Sequence, residues 1–140
     1  MEMKSVGQQY REEFSISVDQ VRKFAEASGD WNPLHFDHEF TKNTIFLKPI
    51  AHGLLSSSVF SKILGTNFPG EGTIYLEQNL KFLKPVYPNE KYLAELTVVE
   101  IMKKNQAILS TKVYDNAGGL VIDGTAKIKN PRIIALSEIC

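Results

Sequence analysis

Residues 53–65, GLLSSSVFSKILG, constrain the fold more than any other stretch of the chain. The segment carries one charged residue, Lys62, and the rest are apolar or small. A helix without a broad polar face has to be enclosed by other elements. Gly53 is expected to open this helix and Gly65 to close it, because glycine readily takes the left-handed conformation that ends a helix. Ser56, Ser57 and Ser58 are small enough to let the helix lie close against a sheet. The enclosing material follows at once. Ile74, Leu76, Leu80 and Phe82 alternate with Tyr75, Glu77, Asn79 and Lys81, the period of a strand. Residues 91–102, 106–115 and 119–129 read as three more strands. Asn116-Ala117-Gly118-Gly119 is a hairpin signal between the last two.

The N-terminal half supplies the remaining elements. Residues 7–16 read as a short strand with Tyr10 and Phe14 as its bulky members. Ser17 and Gln20 have the spacing of a capping box, Val18, Val21, Phe24 and Ala25 recur at helical spacing, and Gly29 ends the run. A short helix is expected over 37–43. Helices and strands are thus segregated along the chain, which predicts an α+β fold: one long helix against one curved antiparallel sheet, ending in a meander. Such a sheet has open edges, and pairing with a second copy is a common way to cover them.

Composition narrows the function. The chain has 140 residues, 43% hydrophobic and 23% charged, and reads as one domain over 1–140. Lys plus Arg and Asp plus Glu are 16 each, a balance that argues against a nucleic-acid binder or a polybasic membrane anchor. No apolar run reaches the length of about 18 residues that a spanning helix needs. The first residues lack the apolar core of a signal peptide, so the cytoplasm is the expected location. The lone cysteine, Cys140, rules out an internal disulfide and a zinc site built on paired cysteines.

Chemistry concentrates in residues 28–35, Ser-Gly-Asp-Trp-Asn-Pro-Leu-His. Gly29 and Pro33 break regular structure, and Asn32 can hold the loop through side-chain-to-backbone bonds. Asp30 and His35 are five residues apart, a carboxylate and an imidazole suited to general acid–base work on a water molecule. The competing reading makes Asp30 a turn cap and His35 a satisfied core histidine. In residues 48–54, Lys-Pro-Ile-Ala-His-Gly-Leu, Gly53 stands at a helix start. Its unpaired N–H groups can polarise a carbonyl oxygen, or the glycine is simply a tight turn. His52 reads as a second polar group near the site or, in the simpler reading, as a loop histidine. His38 lies three residues after His35, but no third ligand accompanies them at metal-site spacing, so no metal is expected.

Together these segments resemble the MaoC-like, or R-specific, enoyl-CoA hydratase family. From its serine onward, the family string Ala-x-Ser-Gly-Asp-x-Asn-Pro-x-His-x-Asp is similar to Ser28-Gly29-Asp30-Trp31-Asn32-Pro33-Leu34-His35-Phe36-Asp37, which Ala27 precedes directly. Its Pro-Ile-x-His-Gly helix entry matches residues 49–53, and its Pro-Gly-x-Gly-Ser/Thr-Ile-Tyr-Leu stretch matches residues 69–76. The resemblance implies a hot-dog fold, a homodimer with a continuous sheet, and reversible syn hydration of trans-2-enoyl-CoA to (3R)-hydroxyacyl-CoA. It implies Asp30 and His35 as the catalytic pair and the Gly53 N–H as donor to the thioester oxygen. No cofactor is implied. The carrier is expected to be CoA, or else acyl carrier protein, with Lys42, Lys48, Lys62, Lys81 and Lys84 as scattered basic candidates beside it. Asn32 is placed among the substrate-binding residues. Ser57, Ser61 and Leu64 lie four, eight and eleven residues beyond Gly53, on one helical face. They are expected to line an acyl tunnel that favours short to medium chains, or else only to meet the sheet. Thioester hydrolysis and non-catalytic acyl binding are the alternative functions. Assembly beyond a dimer stays open.

Overall fold

The structure is a computed structural model, and residues 1–135 are described; Cys140 lies outside them. Strand β1 (Gln9–Phe14) leads into helix α1 (Val18–Ser28), a short helix α2 (His38–Thr41) and the long helix α3 (Gly53–Thr66). Strands β2 (Ile74–Phe82), β3 (Tyr92–Met102), β4 (Gln106–Asp115) and β5 (Leu120–Lys129) follow. The fold is α+β, a five-stranded antiparallel sheet around α3.

The local signals act as expected at several boundaries. The Ser17 hydroxyl accepts the Gln20 N–H while the Gln20 side chain accepts the Ser17 N–H, a closed capping box. Gly29 ends α1 with φ 80°, and its N–H donates to the Ala25 carbonyl. That conformation is costly for any residue with a Cβ. Asp37 caps α2 through the Phe40 N–H, and this helix is shorter than 37–43.

Two expectations are corrected. Gly65 does not close α3; it lies inside the helix, which ends at Thr66 with Asn67 as its C-cap. Gly65 keeps a helical φ, and the stop comes from the turn at Phe68, whose N–H donates to the Ile63 carbonyl, and from Pro69 beyond it. Nor do β2 to β5 form one meander. The sheet order is β1-β3-β4-β5-β2, so β3, β4 and β5 are consecutive while β2 crosses to the far edge of β5. β1 occupies the other edge of β3, pairing Gln9 with Thr97 through Phe14 with Tyr92, and so takes the place β2 would have had. Gly124 fits the β2 pairing, since a Cβ there would collide with the Asn79 carbonyl oxygen.

The core lies between α3 and the concave face of the sheet. From α3 it takes Val59, Phe60, Ile63 and Leu64, and from the strands residues such as Leu96, Leu109, Val113, Ala126 and Ile128. Each large side chain fully buried in this way contributes roughly 1.5–3 kcal/mol. Strand β2 differs from the others, because Ile74, Tyr75, Leu76 and Phe82 are exposed on it. Among the described residues, no helix is long and apolar enough to cross a membrane.

Phe60 is fully buried at the centre of the α3 face. Phe60→Ala is expected to lower stability in urea unfolding by about 3–5 kcal/mol. Val99→Ala, at a residue 52% exposed, is expected to change it by less than about 0.5 kcal/mol.

Candidate active site

The site begins where α1 stops. From there a chain of side-chain bonds shapes the loop. Ser28 Oγ donates to the Phe24 carbonyl (2.7 Å) and accepts the Asp30 N–H (3.1 Å). Asp30 Oδ1 accepts the Asn32 N–H (3.1 Å), and Asn32 Oδ1 accepts the Leu34 N–H (3.0 Å), starting a single 3-10 turn over Pro33–His35. Short polar side chains here do the work that a regular backbone ladder does elsewhere. Asp30 is therefore a turn cap with one oxygen and still has Oδ2 for other partners. Asn32 spends its acceptor on shaping the turn.

His35 is half-buried, and its Nδ1 lies 2.7 Å from the Ile50 carbonyl. A carbonyl only accepts, so Nδ1 carries the proton and Nε2 keeps its lone pair. Burial, more than any other cause, holds the His35 pKa below the ordinary histidine value; the Ile50 carbonyl opposes this, His52 adds to it and Asp30 opposes it. The imidazole is thus held in the form that accepts a proton at Nε2.

The segment that receives His35 also begins α3. Ile50 N–H returns a bond to the Leu34 carbonyl, and Ala51 N–H bonds the Val86 carbonyl, fixing the strap before the helix. His52 is the N-cap residue and Gly53 the first residue of α3. Gly53 needs to be glycine for a steric reason, because a Cβ would stand 2.8 Å from the Phe82 ring. Its N–H has no intrahelical acceptor and sits at the positive end of the helix dipole.

Asp30, His35, His52 and Gly53 line one cavity of about 460 Å³, with Phe82 and Ile122 among its apolar walls. The other expected residues lie elsewhere. Ser57 and Ser61 line a separate shallow depression together with Tyr75 and Gln78. Leu64 is fully buried in the core. His38 stands at the exposed start of α2.

His52 is the residue that sequence reasoning undervalued. It is 2% exposed and stacks on His35, ring centroids 3.7 Å apart. The available signal was a histidine set between apolar Ile50-Ala51 and a helix start. Asp30, His35 and His52 together offer ligand atoms within 4.8 Å of one another. The His52 Nε2–H is committed to the Asp30 carbonyl at 3.0 Å, and the stacked rings present their faces, not converging lone pairs. The donor set therefore suits a hydrogen-bonded cluster better than a metal cage.

A carboxylate and an imidazole thus share a largely apolar cavity with the first residue of the long helix, on an α+β fold in which one antiparallel sheet packs on that helix. Comparisons with known proteins supply the class. The family model described as MaoC like domain matches residues 3–118. The (R)-specific enoyl-CoA hydratase of Aeromonas caviae is 40% identical over 127 residues, 90% of this chain and 95% of that protein. The solved structure of an (R)-hydratase from A. caviae superposes with a TM-score of 0.87, covering 91% of this chain and 97% of that one at 40% identity. A mitochondrial 3-hydroxyacyl-[acyl-carrier-protein] dehydratase of Arabidopsis thaliana is 37% identical over 95% of this chain and 81% of that protein. The chain belongs to the MaoC-like dehydratase family and is a hydro-lyase with the hot-dog fold.

The His35 environment carries a direct expectation. Followed through its imidazole C–H resonances, His35 should titrate below the ordinary histidine range, because burial disfavours the imidazolium. A midpoint at or above that range would contradict the site as described.

Proposed function

We propose that the protein hydrates trans-2-enoyl thioesters reversibly to (3R)-hydroxyacyl thioesters, with Asp30 and His35 as the catalytic pair. The observation that supports this reading is that Asp30, His35 and Gly53, the first residue of α3, line one cavity, with His35 Nδ1 bound to the Ile50 carbonyl and Nε2 left to accept. The thioester carbonyl accepts a hydrogen bond from the Gly53 N–H. Electron density then leaves the β-carbon, and the growing enolate charge is stabilised by the helix terminus. One water is held between Asp30 and His35 over that carbon. Its oxygen bonds to the β-carbon, the pair takes one of its protons, and the pair delivers a proton to the α-carbon on the same face. The net change is addition of one water, and no proton or electron is left over. Because the two groups share the proton, base and acid belong to the pair and not to one residue.

The apolar walls of the cavity are where the acyl chain lies, and its volume of about 460 Å³ supports short to medium chains. Ser57 and Ser61, in their separate depression, and Leu64 in the core act on chain length only through the way α3 sits on the sheet. Lys84 is the candidate lysine that lines the cavity, and its partner is Asp115 at 3.4 Å. Lys62 is tied to Glu12, and Lys48 lies over the Tyr87 ring. Lys84 is therefore the residue of that set best placed to meet a carrier phosphate. The A. caviae relative names CoA and the Arabidopsis relative names acyl carrier protein. Acyl-CoA is our first choice of substrate, within fatty-acid metabolism. A homodimer belongs to the same proposal: β2 is an edge strand with exposed Ile74, Tyr75 and Leu76, and a second copy would cover it. A cytoplasmic location is proposed as well; the Arabidopsis relative is mitochondrial by name, and cell fractionation separates the two.

Loss of the enoyl absorbance of crotonyl-CoA tests the reaction. The wild type is expected to consume the substrate, and Asp30→Asn and His35→Ala to lose about 10²–10⁴-fold in kcat. Release of free thiol with the enoyl group intact would make the protein a thioesterase instead. In light scattering, the expected mass is twice that of one chain, and a strictly monomeric protein would remove the dimer from the account.

A further inference from the structure

We propose that His52 is a positioning residue for the catalytic pair: its stacked ring and single N–H fix His35, the Asp30 loop and the start of α3 relative to one another. The inference rests on the hydration reading above. Three contacts carry it. The His52 ring lies on the His35 ring at 3.7 Å with 30° between their planes. Its other neighbours are Phe24, at 4.8 Å, and Phe36, at 6.1 Å, so the imidazole pair is held among aromatic rings. The Nε2–H of His52 donates to the backbone carbonyl of Asp30 at 3.0 Å, and Nε2 stands 4.0 Å from Asp30 Oδ2. The His52 carbonyl, in turn, accepts both the Ser56 N–H (3.0 Å) and the Ser56 hydroxyl (2.9 Å) in the first turn of α3. Gly53 is its chain neighbour.

Packing alone does not account for a histidine here. Its Nδ1 is buried without a hydrogen-bond partner. An unpaired buried polar atom is destabilising, a cost that phenylalanine or leucine would not carry. What an imidazole adds over those residues is the Nε2–H on the Asp30 carbonyl, delivered from a flat ring that also braces His35. That bond sets where the Asp30 carboxylate hangs over the cavity. The stack sets the direction in which His35 Nε2 points. A displacement of even ~1 Å between two such groups can cost on the order of 100-fold in rate.

Two substitutions separate the two parts of the device. His52→Phe keeps a ring and loses the donor. His52→Gln loses the ring but places an amide N–H where Nε2 stood. The titratable groups facing His35 are His52 and Asp30, and His52 helps to lower the His35 pKa. Steady-state kinetics with crotonyl-CoA and NMR titration of the His35 imidazole are measured on the full chain of each variant. In His52→Phe, kcat is expected to fall by about 100-fold with KM little changed. His52→Gln is expected to recover part of that loss, and the His35 midpoint is expected to move up in both variants. A His52→Phe enzyme with wild-type kcat would overturn the proposal. A His52→Gln enzyme as slow as His52→Phe, with the His35 midpoint unmoved, would reduce His52 to packing and overturn it equally. Failure of the wild type to hydrate crotonyl-CoA would overturn the reaction and, with it, the positioning role that rests on it, whereas an active wild type with an equally active His52→Phe variant would overturn the positioning role alone.

Discussion

The enclosure of α3 is the constraint on which the rest depends. Its buried face, Val59, Phe60, Ile63 and Leu64, is too extensive to leave in water, so the sheet has to curve around it. The helix N-terminus is different. It carries unsatisfied N–H groups that must meet water, a side chain or a ligand. The fold answers by sealing the middle of α3 and leaving its first residue at a cavity. Gly53, against the Phe82 ring, is where the sealed and open parts meet.

That arrangement also explains why the catalytic candidates come from a loop. A loop running over the helix start can hang a carboxylate and an imidazole above the cavity, and loops on a rigid scaffold commonly carry function. Residues 28–35 are held in shape with little regular structure, because Ser28, Asp30 and Asn32 each spend one side-chain acceptor on a nearby N–H. His35 is then fastened to the strap before α3 through the Ile50 carbonyl.

Much of this was legible in the sequence because it depends on neighbours in the chain. The Ser17–Gln20 box, the Gly29 stop, the strand alternation and the Asp-x-Asn-Pro-x-His loop are all local signals. What was missed is long-range. The place of β2 beside β5 depends on β1 taking the edge of β3, which no local pattern encodes. For Ser57, Ser61 and Leu64 helical spacing left two readings open, an acyl tunnel or contact with the sheet, because spacing does not say what a face meets; two line a depression beside β2 and one is in the core. Gly65 has the residue type of a helix stop but not the conformation. His52 reads as either a polar group near the site or a loop histidine until the stack on His35 is seen, and that contact joins two separate segments of the chain.

The central claim is that one cavity brings an activated thioester and a water held by Asp30 and His35 together on one face of the double bond. Its most direct test is the stereochemistry of the product formed from crotonyl-CoA in deuterium oxide. The account predicts (3R)-hydroxybutyryl-CoA with deuterium added at C2 on the same face as the hydroxyl. A (3S) product, anti addition, or release of CoA with the double bond intact would contradict it.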